Sequence, residues 1–111
     1  MNNNYSNLIY IKLGGSLVTN KKTESTAHPT TIKHLAAEIY NFKSANPATQ
    51  IIVGHGAGSY GHIQALRNKL HLCAHSSERW SGVLEVAQAV SQLSRIIQRA
   101  LHLAGLQAKL F

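Results

Sequence analysis

No aspartate occurs in the 111-residue chain, and its only carboxylate side chains are Glu24, Glu38, Glu78 and Glu85. No two of these lie closer than seven positions in sequence, so neither a paired-carboxylate acid/base site nor an aspartate-built magnesium site is expected within this chain. The single cysteine, Cys73, has no partner for an internal disulfide. That excludes a bridge-stapled scaffold and makes a reducing, cytoplasmic setting the expectation. Long apolar runs are missing as well: Leu8 to Ile11 is interrupted at Lys12, and the Met-Asn-Asn-Asn start carries no basic segment. Neither a signal peptide nor a membrane span is expected. Aromatic residues make up 6% of the chain and do not interleave with basic ones. Trp80 beside Arg79, with Arg95 and Arg99 further on, therefore reads as a solvated helix face and not as a base-stacking nucleic-acid surface.

What is present is positive charge and glycine. Eleven Lys and Arg give a net charge of +7, with seven His in addition. Such a balance favours anionic partners, although the cations are scattered and name only a sign. The length suits one domain, residues 1–111, able to bury roughly two-thirds of its unfolded surface, and is too short for a two-domain enzyme.

Leu8 to Leu13 is an apolar, β-branched run ending at Gly14-Gly15, which predicts a buried strand entering a tight turn. A long polar loop follows from Ser16 to Pro29. The three- and four-residue spacing of Ile32, Leu35, Ala36, Ile39 and Tyr40 predicts a helix capped by Thr30 or Thr31 and ending near Ser44, before Asn46-Pro47. Gln50 to Val53 predicts a second short buried strand, and it runs into four glycines in eight residues, Gly54, Gly56, Gly58 and Gly61. Between about Arg79 and Ala104, Val83, Val86, Val90, Leu93, Ile97, Ala100 and Ala104 share one face of a helix of about six or seven turns. Gly105 is placed to stop it, and Leu106 to Phe111 reads as the start of a third strand. Strand, helix, strand, helix predicts an α/β fold with a parallel sheet, in which both glycine loops leave from neighbouring strand ends and face one crevice.

Glycine turns expose backbone N–H groups to anions. Gly14-Gly15-Ser16 and Gly54 to Gly61 offer such groups, with Lys12, Lys21, Lys22, His55 and His62 nearby in sequence. Phosphate binding is the joint reading of these residues. Gly56, Gly58 and Gly61 also spell G-x-G-x-x-G, but no strand-end acid follows at dinucleotide spacing, since Glu78 precedes a helix. A nicotinamide-dependent oxidoreductase is the weaker alternative. The cluster His71, Cys73 and His75 lacks a fourth ligand and predicts no zinc site.

Lys12-Leu13-Gly14-Gly15-Ser16 closing a strand, Thr19-Asn20-Lys21 just beyond, and His55-Gly56-Ala57-Gly58-Ser59-Tyr60-Gly61-His62 after the second strand resemble the isopentenyl phosphate kinase family of the amino acid kinase superfamily. The long helix with Gly82, Gln88 and Leu93, stopped at Gly105, resembles the one that follows in that family. The resemblance implies a three-layer α/β/α sandwich, of which this chain is the N-terminal half without the nucleotide-binding half. It further implies transfer of the ATP γ-phosphate, with Mg2+ carried by the nucleotide, to isopentenyl phosphate in the mevalonate route of isoprenoid biosynthesis. By position, Lys12, Leu13, Gly14, Gly15, Ser16 and Gly58 would hold ATP phosphates, and Lys21 would stabilise the transferring group. Gly56, Ala57 and His62 would contact the substrate, and His62 would grip its phosphate. No metal ligand is implied in this chain. Neither nucleic acid nor membrane is expected as a partner, whereas a homodimer through residues 83–104 is.

The departures from the family are Ala57 for a glycine, Tyr60 for a phenylalanine, Asn20 for an aspartate and Ile63 for a proline. The Ala57 methyl is expected to crowd the approach of phosphate, and Tyr60 to be mild. Two other readings stand beside the first: a fosfomycin kinase-like enzyme for another phosphate or phosphonate acceptor, and a non-catalytic basic module that binds anions.

Overall fold

The computed structural model describes residues 7–20, 22–61 and 77–110. Strand β1, Asn7–Leu13, pairs in parallel with β2, Thr49–His55, in a register that runs from Asn7 opposite Thr49 to Leu13 opposite His55. Between them come a short helix α1, Gly15–Val18, and the helix α2, Pro29–Ala45. After β2 the chain makes a 3-10 turn, Gly58–Tyr60, and the last described element is helix α3, Ser77–Ala104. The expected parallel α/β order is therefore present, and the described residues build the sheet and one helical layer.

The core lies between one face of the sheet and the two long helices. Leu13, Ile32, Ala36, Ile39, Leu93, Ile97 and Leu101 are buried there, with Ile11, Ile51 and Val53 packed against them. On α3 the buried stripe is Ala89, Leu93, Ile97 and Leu101, while Val83, Val86 and Val90 are half-buried. The helical period was legible, and the stripe is rotated slightly toward Leu101.

Among the described residues the opposite sheet face is uncovered. Leu8, Tyr10 and Ile52 are 62%, 63% and 43% exposed, so the expectation of two strands buried on both faces does not hold among the described residues. The side chains alternate instead, as a sheet covered on one side requires.

Element ends follow local chemistry. Helix α2 starts at Pro29 itself, whose fixed φ suits the first helical position, and not from a threonine cap. It ends at Asn46, whose side-chain amide and backbone N–H both donate to the Phe42 carbonyl at 3.0 Å. Lys43 Nζ then donates to the carbonyls of Pro47, 2.9 Å, and Thr49, 2.6 Å, fixing the entry into β2. Helix α3 stops at Gly105, φ +109°, where the Gly105 N–H reaches the His102 carbonyl and the Leu106 N–H the Leu101 carbonyl. That pair is the six-to-one and five-to-two bonding of a glycine-terminated helix. The strand expected from Leu106 is not formed over 106–110. The Ala108 carbonyl instead accepts from Gln98 Nε2 and His102 Nε2, each at 2.9 Å, which ties the segment back to α3.

Candidate functional site: two glycine turns in contact

Because Leu13 and His55 stand opposite each other at the ends of β1 and β2, the turns that follow them start side by side. The Gly56 N–H donates to the Leu13 carbonyl at 3.0 Å, closing the sheet at that edge. Beyond it the turns touch backbone to backbone. A Cβ on Gly15 would lie 2.5 Å from Gly58 N and 3.2 Å from Gly56 C, and one on Gly56 would lie 2.9 Å from Gly15 N. Gly58 adopts φ +52°, and a Cβ there would collide with Thr19 Oγ1 and the Gly15 carbonyl. The crevice read from the sequence is thus a tight junction at which the glycines admit each other.

Gly14 differs. It has φ −61° and ψ 138°, and the nearest atom to a Cβ there is Leu17 Cβ at 4.0 Å. Packing does not demand a glycine at this position. Among the described residues, no acceptor takes the amide N–H of Gly15, Ser16, Ala57 or Gly58. The junction therefore holds four backbone N–H groups without an acceptor among the described residues, those of exposed Ser16, half-buried Gly15 and Ala57, and buried Gly58. Lys12 is exposed and stands opposite Gly54, on the open face shared by Leu8 and Tyr10. Leu13 is a core residue, 5% exposed, and contributes its carbonyl.

The long loop expected from Ser16 to Pro29 is more ordered than its composition suggests. After α1, an antiparallel bridge joins Thr19 to Ala27, the Asn20 N–H donates to the Thr26 carbonyl at 2.8 Å, and the His28 N–H donates to the Val18 carbonyl at 2.8 Å. The result is a narrow hairpin whose tip carries Lys22 and Glu24. It docks on the second turn: the Ser25 N–H donates to the Ser59 carbonyl at 3.1 Å and the Thr26 N–H to Ser59 Oγ at 3.2 Å. Tyr60 lies buried beneath, 4% exposed, and its hydroxyl oxygen accepts a backbone hydrogen bond from Ala27. Burial pushes the phenol pKa above its ordinary value of 10.0, and the Ala27 bond opposes this in part. A tyrosine in place of the family's phenylalanine is therefore accommodated with its added hydroxyl partnered.

Ala57 is turned away from the first turn. Its Cβ lies 2.6 Å from where a Cβ of Gly61 would be, a point 3.7 Å from Val86 and Val90 of α3. The methyl that was expected to crowd phosphate fills space toward the helix. His55 bridges the turn to the same helix: its Nδ1 is 2.9 Å from the Gly56 carbonyl and its Nε2 is 2.7 Å from Ser94 Oγ. A carbonyl only accepts, so Nδ1 donates to Gly56, while the Ser94 hydroxyl that meets Nε2 also donates to the Val90 carbonyl of its own helix at 3.2 Å.

Of the residues singled out from the sequence, the structure brings together Gly14, Gly15, Ser16, Gly56, Ala57 and Gly58, with Leu13 beneath them. Lys21 and His62 lie outside the described residues, as do His71, Cys73 and His75. Sequence reasoning gave no role to Thr19, Ser59 or Ser94. Small hydroxyl residues near glycine look alike in sequence whether they are solvated or buried, and burial is what separates them here. Among the described residues no group of three or more His, Cys, Asp or Glu is placed to hold a metal ion, and no helix is long and apolar enough to cross a membrane.

Comparison with known proteins matches residues 7–110 to the amino acid kinase family. An isopentenyl phosphate kinase of Methanothermobacter thermautotrophicus is 45% identical over 56 residues, which are 50% of this chain and 20% of that protein. The T. acidophilum isopentenyl phosphate kinase, solved as a product complex, superimposes with a TM-score of 0.75 at 25% identity, over 92% of this chain and 41% of the other. A solved substrate complex of isopentenyl phosphate kinase gives 0.76 at 24% identity, over 90% and 40%. The chain thus spans about two-fifths of the length of these solved relatives.

Proposed function

The chain belongs to the amino acid kinase family, and from that premise we propose that it is the N-terminal, phosphate-binding part of a cytoplasmic kinase that converts isopentenyl phosphate to isopentenyl diphosphate with ATP. The observation that carries this reading is the junction of Gly14-Gly15-Ser16 with Gly56-Ala57-Gly58, where four backbone N–H groups have no acceptor among the described residues. Such donors, fixed before a ligand arrives, suit phosphoryl transfer, which needs charge neutralisation and alignment more than a covalent nucleophile. ATP, with its Mg2+, supplies the phosphoryl group when bound. Lys12, the backbone of Leu13, Gly14, Gly15, Ser16 and Gly58 would hold its phosphates, and Gly56, Ala57 and His62 the substrate. Lys21 would stabilise the group in transit. The donor set fits phosphate, and the described residues offer no carboxylate cluster for the metal, which on this reading travels with the nucleotide.

The kinases that resemble this chain in sequence and fold support isopentenyl phosphate as acceptor over a phosphonate, because the relatives named above carry that activity in their names. The isoprenoid role, and a homodimer through α3, belong to the same proposal. Titration of the 15N-labelled chain with ATP and, separately, with isopentenyl phosphate tests it. Saturable shifts are expected at the amides of Gly14 to Ser16 with ATP and of Gly56 to Gly58 with both, and His62→Ala should weaken only the response to isopentenyl phosphate. Spectra unchanged at millimolar ligand would refute phosphate binding by this chain. Weak binding that falls steeply with salt, insensitive to the glycine turns, would favour a non-catalytic basic module instead.

A further inference from the structure

Two hydroxyl side chains at the junction are withdrawn from solvent. Thr19 is 0% exposed and Ser59 1% exposed, and they are 40 positions apart in sequence. Thr19 Oγ1 donates to the Gly15 carbonyl at 2.6 Å and accepts from the Ser59 N–H at 3.1 Å. One oxygen therefore binds both glycine turns. Ser59 extends the connection, since its Oγ accepts from the Thr26 N–H at 3.2 Å and stands 3.5 Å from the Thr26 carbonyl. The hairpin that follows α1 is thus held to the second turn, and the second turn to the first.

We propose that Thr19 and Ser59 are positioning residues that set the spacing of the two glycine turns, so that one phosphate meets backbone donors from both as a single rigid set. The inference rests on the reading that this junction binds phosphate. Neither side chain is exposed, so neither touches the ligand, and their effect passes through the backbone of Gly15 and Gly58. The glycine contacts explain why spacing matters. With Gly15 and Gly58 already closer than any side chain would allow, a small slip between the turns redirects the donors and admits water. Hydrogen bonding through a buried oxygen opposes that slip because breaking it leaves the Ser59 N–H without a partner, and the Gly15 carbonyl with the Thr19 N–H alone, in a site closed to solvent.

The test uses the full chain and ATP as probe, with amide shifts of the glycine turns giving the Kd and the amides of α2 and α3 reporting the fold. Thr19→Val, which keeps shape and removes the oxygen, is expected to weaken ATP binding about tenfold. Thr19→Ser, which keeps the oxygen, is expected to stay within about twofold of the parent protein. A structural role without positioning would lower stability in Thr19→Val and leave the Kd of the folded protein unchanged, and that result overturns the proposal while the phosphate site stands. If Thr19→Val does not fold, Ser59→Ala decides by the same criterion for its own side chain, because it removes the Ser59 Oγ contacts with Thr26 and leaves the Ser59 backbone bonds to Ser25 and Thr19 in place. Absence of any ATP response in the parent chain overturns the phosphate reading and the positioning role together.

Discussion

Gly14 and Gly15 are adjacent, both follow β1 directly, and the structure assigns them opposite sensitivities to a single methyl group. In Gly15→Ala the new Cβ would stand 2.5 Å from Gly58 N and 2.9 Å from Gly58 Cα, and the lower limit of ordinary contact is 3.4 Å. A separation of about 0.9 Å must therefore open between two backbones, neither of which has a flexible end that can swing aside. Overpacking of this kind costs about 2 kcal/mol. For a domain of this size that lowers Tm by on the order of 10 °C. Gly14→Ala has its nearest neighbour at 4.0 Å and a backbone conformation open to any residue, so its cost should stay within about 0.5 kcal/mol. Thermal unfolding followed by circular dichroism separates the two. If Gly14→Ala weakens ATP binding without changing Tm, its glycine serves ligand approach and that of Gly15 serves the junction. Equal melting temperatures for the two variants would refute the packing assignment, and with it the account of why the turns are glycine-rich.

The His55 bridge to Ser94 predicts that Ser94→Ala and His55→Ala each cost about 1 kcal/mol and are non-additive in a double-mutant cycle of urea unfolding; additive losses would show that the bond does not hold the turn to α3. Ala57 and Gly61 share one small space, so Gly61→Ala should destabilise by about 1 to 3 kcal/mol and be largely rescued by adding Ala57→Gly; no rescue would place the clash on Val86 or Val90 instead. Tyr60 has its folded pKa raised, chiefly by burial, so the folded state holds its proton more tightly than the unfolded state does. Its contribution is complete below about pH 10 and is lost as pH rises toward the folded value. Tyr60→Phe should therefore remove part of the alkaline fall in stability, and melting curves of the two proteins that run parallel above about pH 10 would contradict the burial effect.

The parallel order of the elements was legible because apolar, β-branched runs give way to a period of about 3.6 and glycine or proline marks the ends of both strands and the start of the first long helix. Register followed from it: two strands of seven residues that end together put both glycine turns at one place. What the residues did not disclose is which sheet face is covered. Leu8, Tyr10 and Ile52 look like core residues by type, and only the positions of α2 and α3 decide that Ile11, Ile51 and Val53 are the inward set. The hairpin after α1 was hidden for a different reason. Its bonds run between polar backbone and short side chains, Asn20 to Thr26 and Thr26 to Ser59, and such pairing has no hydrophobic period to betray it. The third strand failed because a strand requires a partner in register, and the polar side chains of Gln98 and His102 compete for its backbone.

Residue-by-residue reading of a glycine motif assigns every glycine to the ligand, and the geometry here divides them. Gly15, Gly56 and Gly58 are small because they touch one another, and Gly61 because Ala57 lies beside it. At Gly14, by contrast, the described residues supply no steric reason. On the proposed reading such a motif carries two constraints at once, close packing of the turns and access for phosphate, and the two meet because the turns that touch carry the N–H groups without an acceptor among the described residues. The same division changes how departures from a family pattern should be weighed. Alanine at position 57 falls beside Gly61, in the space the turn shares with α3, whereas alanine at 56 or 58 would force the turns apart. The geometry of this junction thus depends less on whether a motif position is glycine than on which backbone its missing side chain would have met.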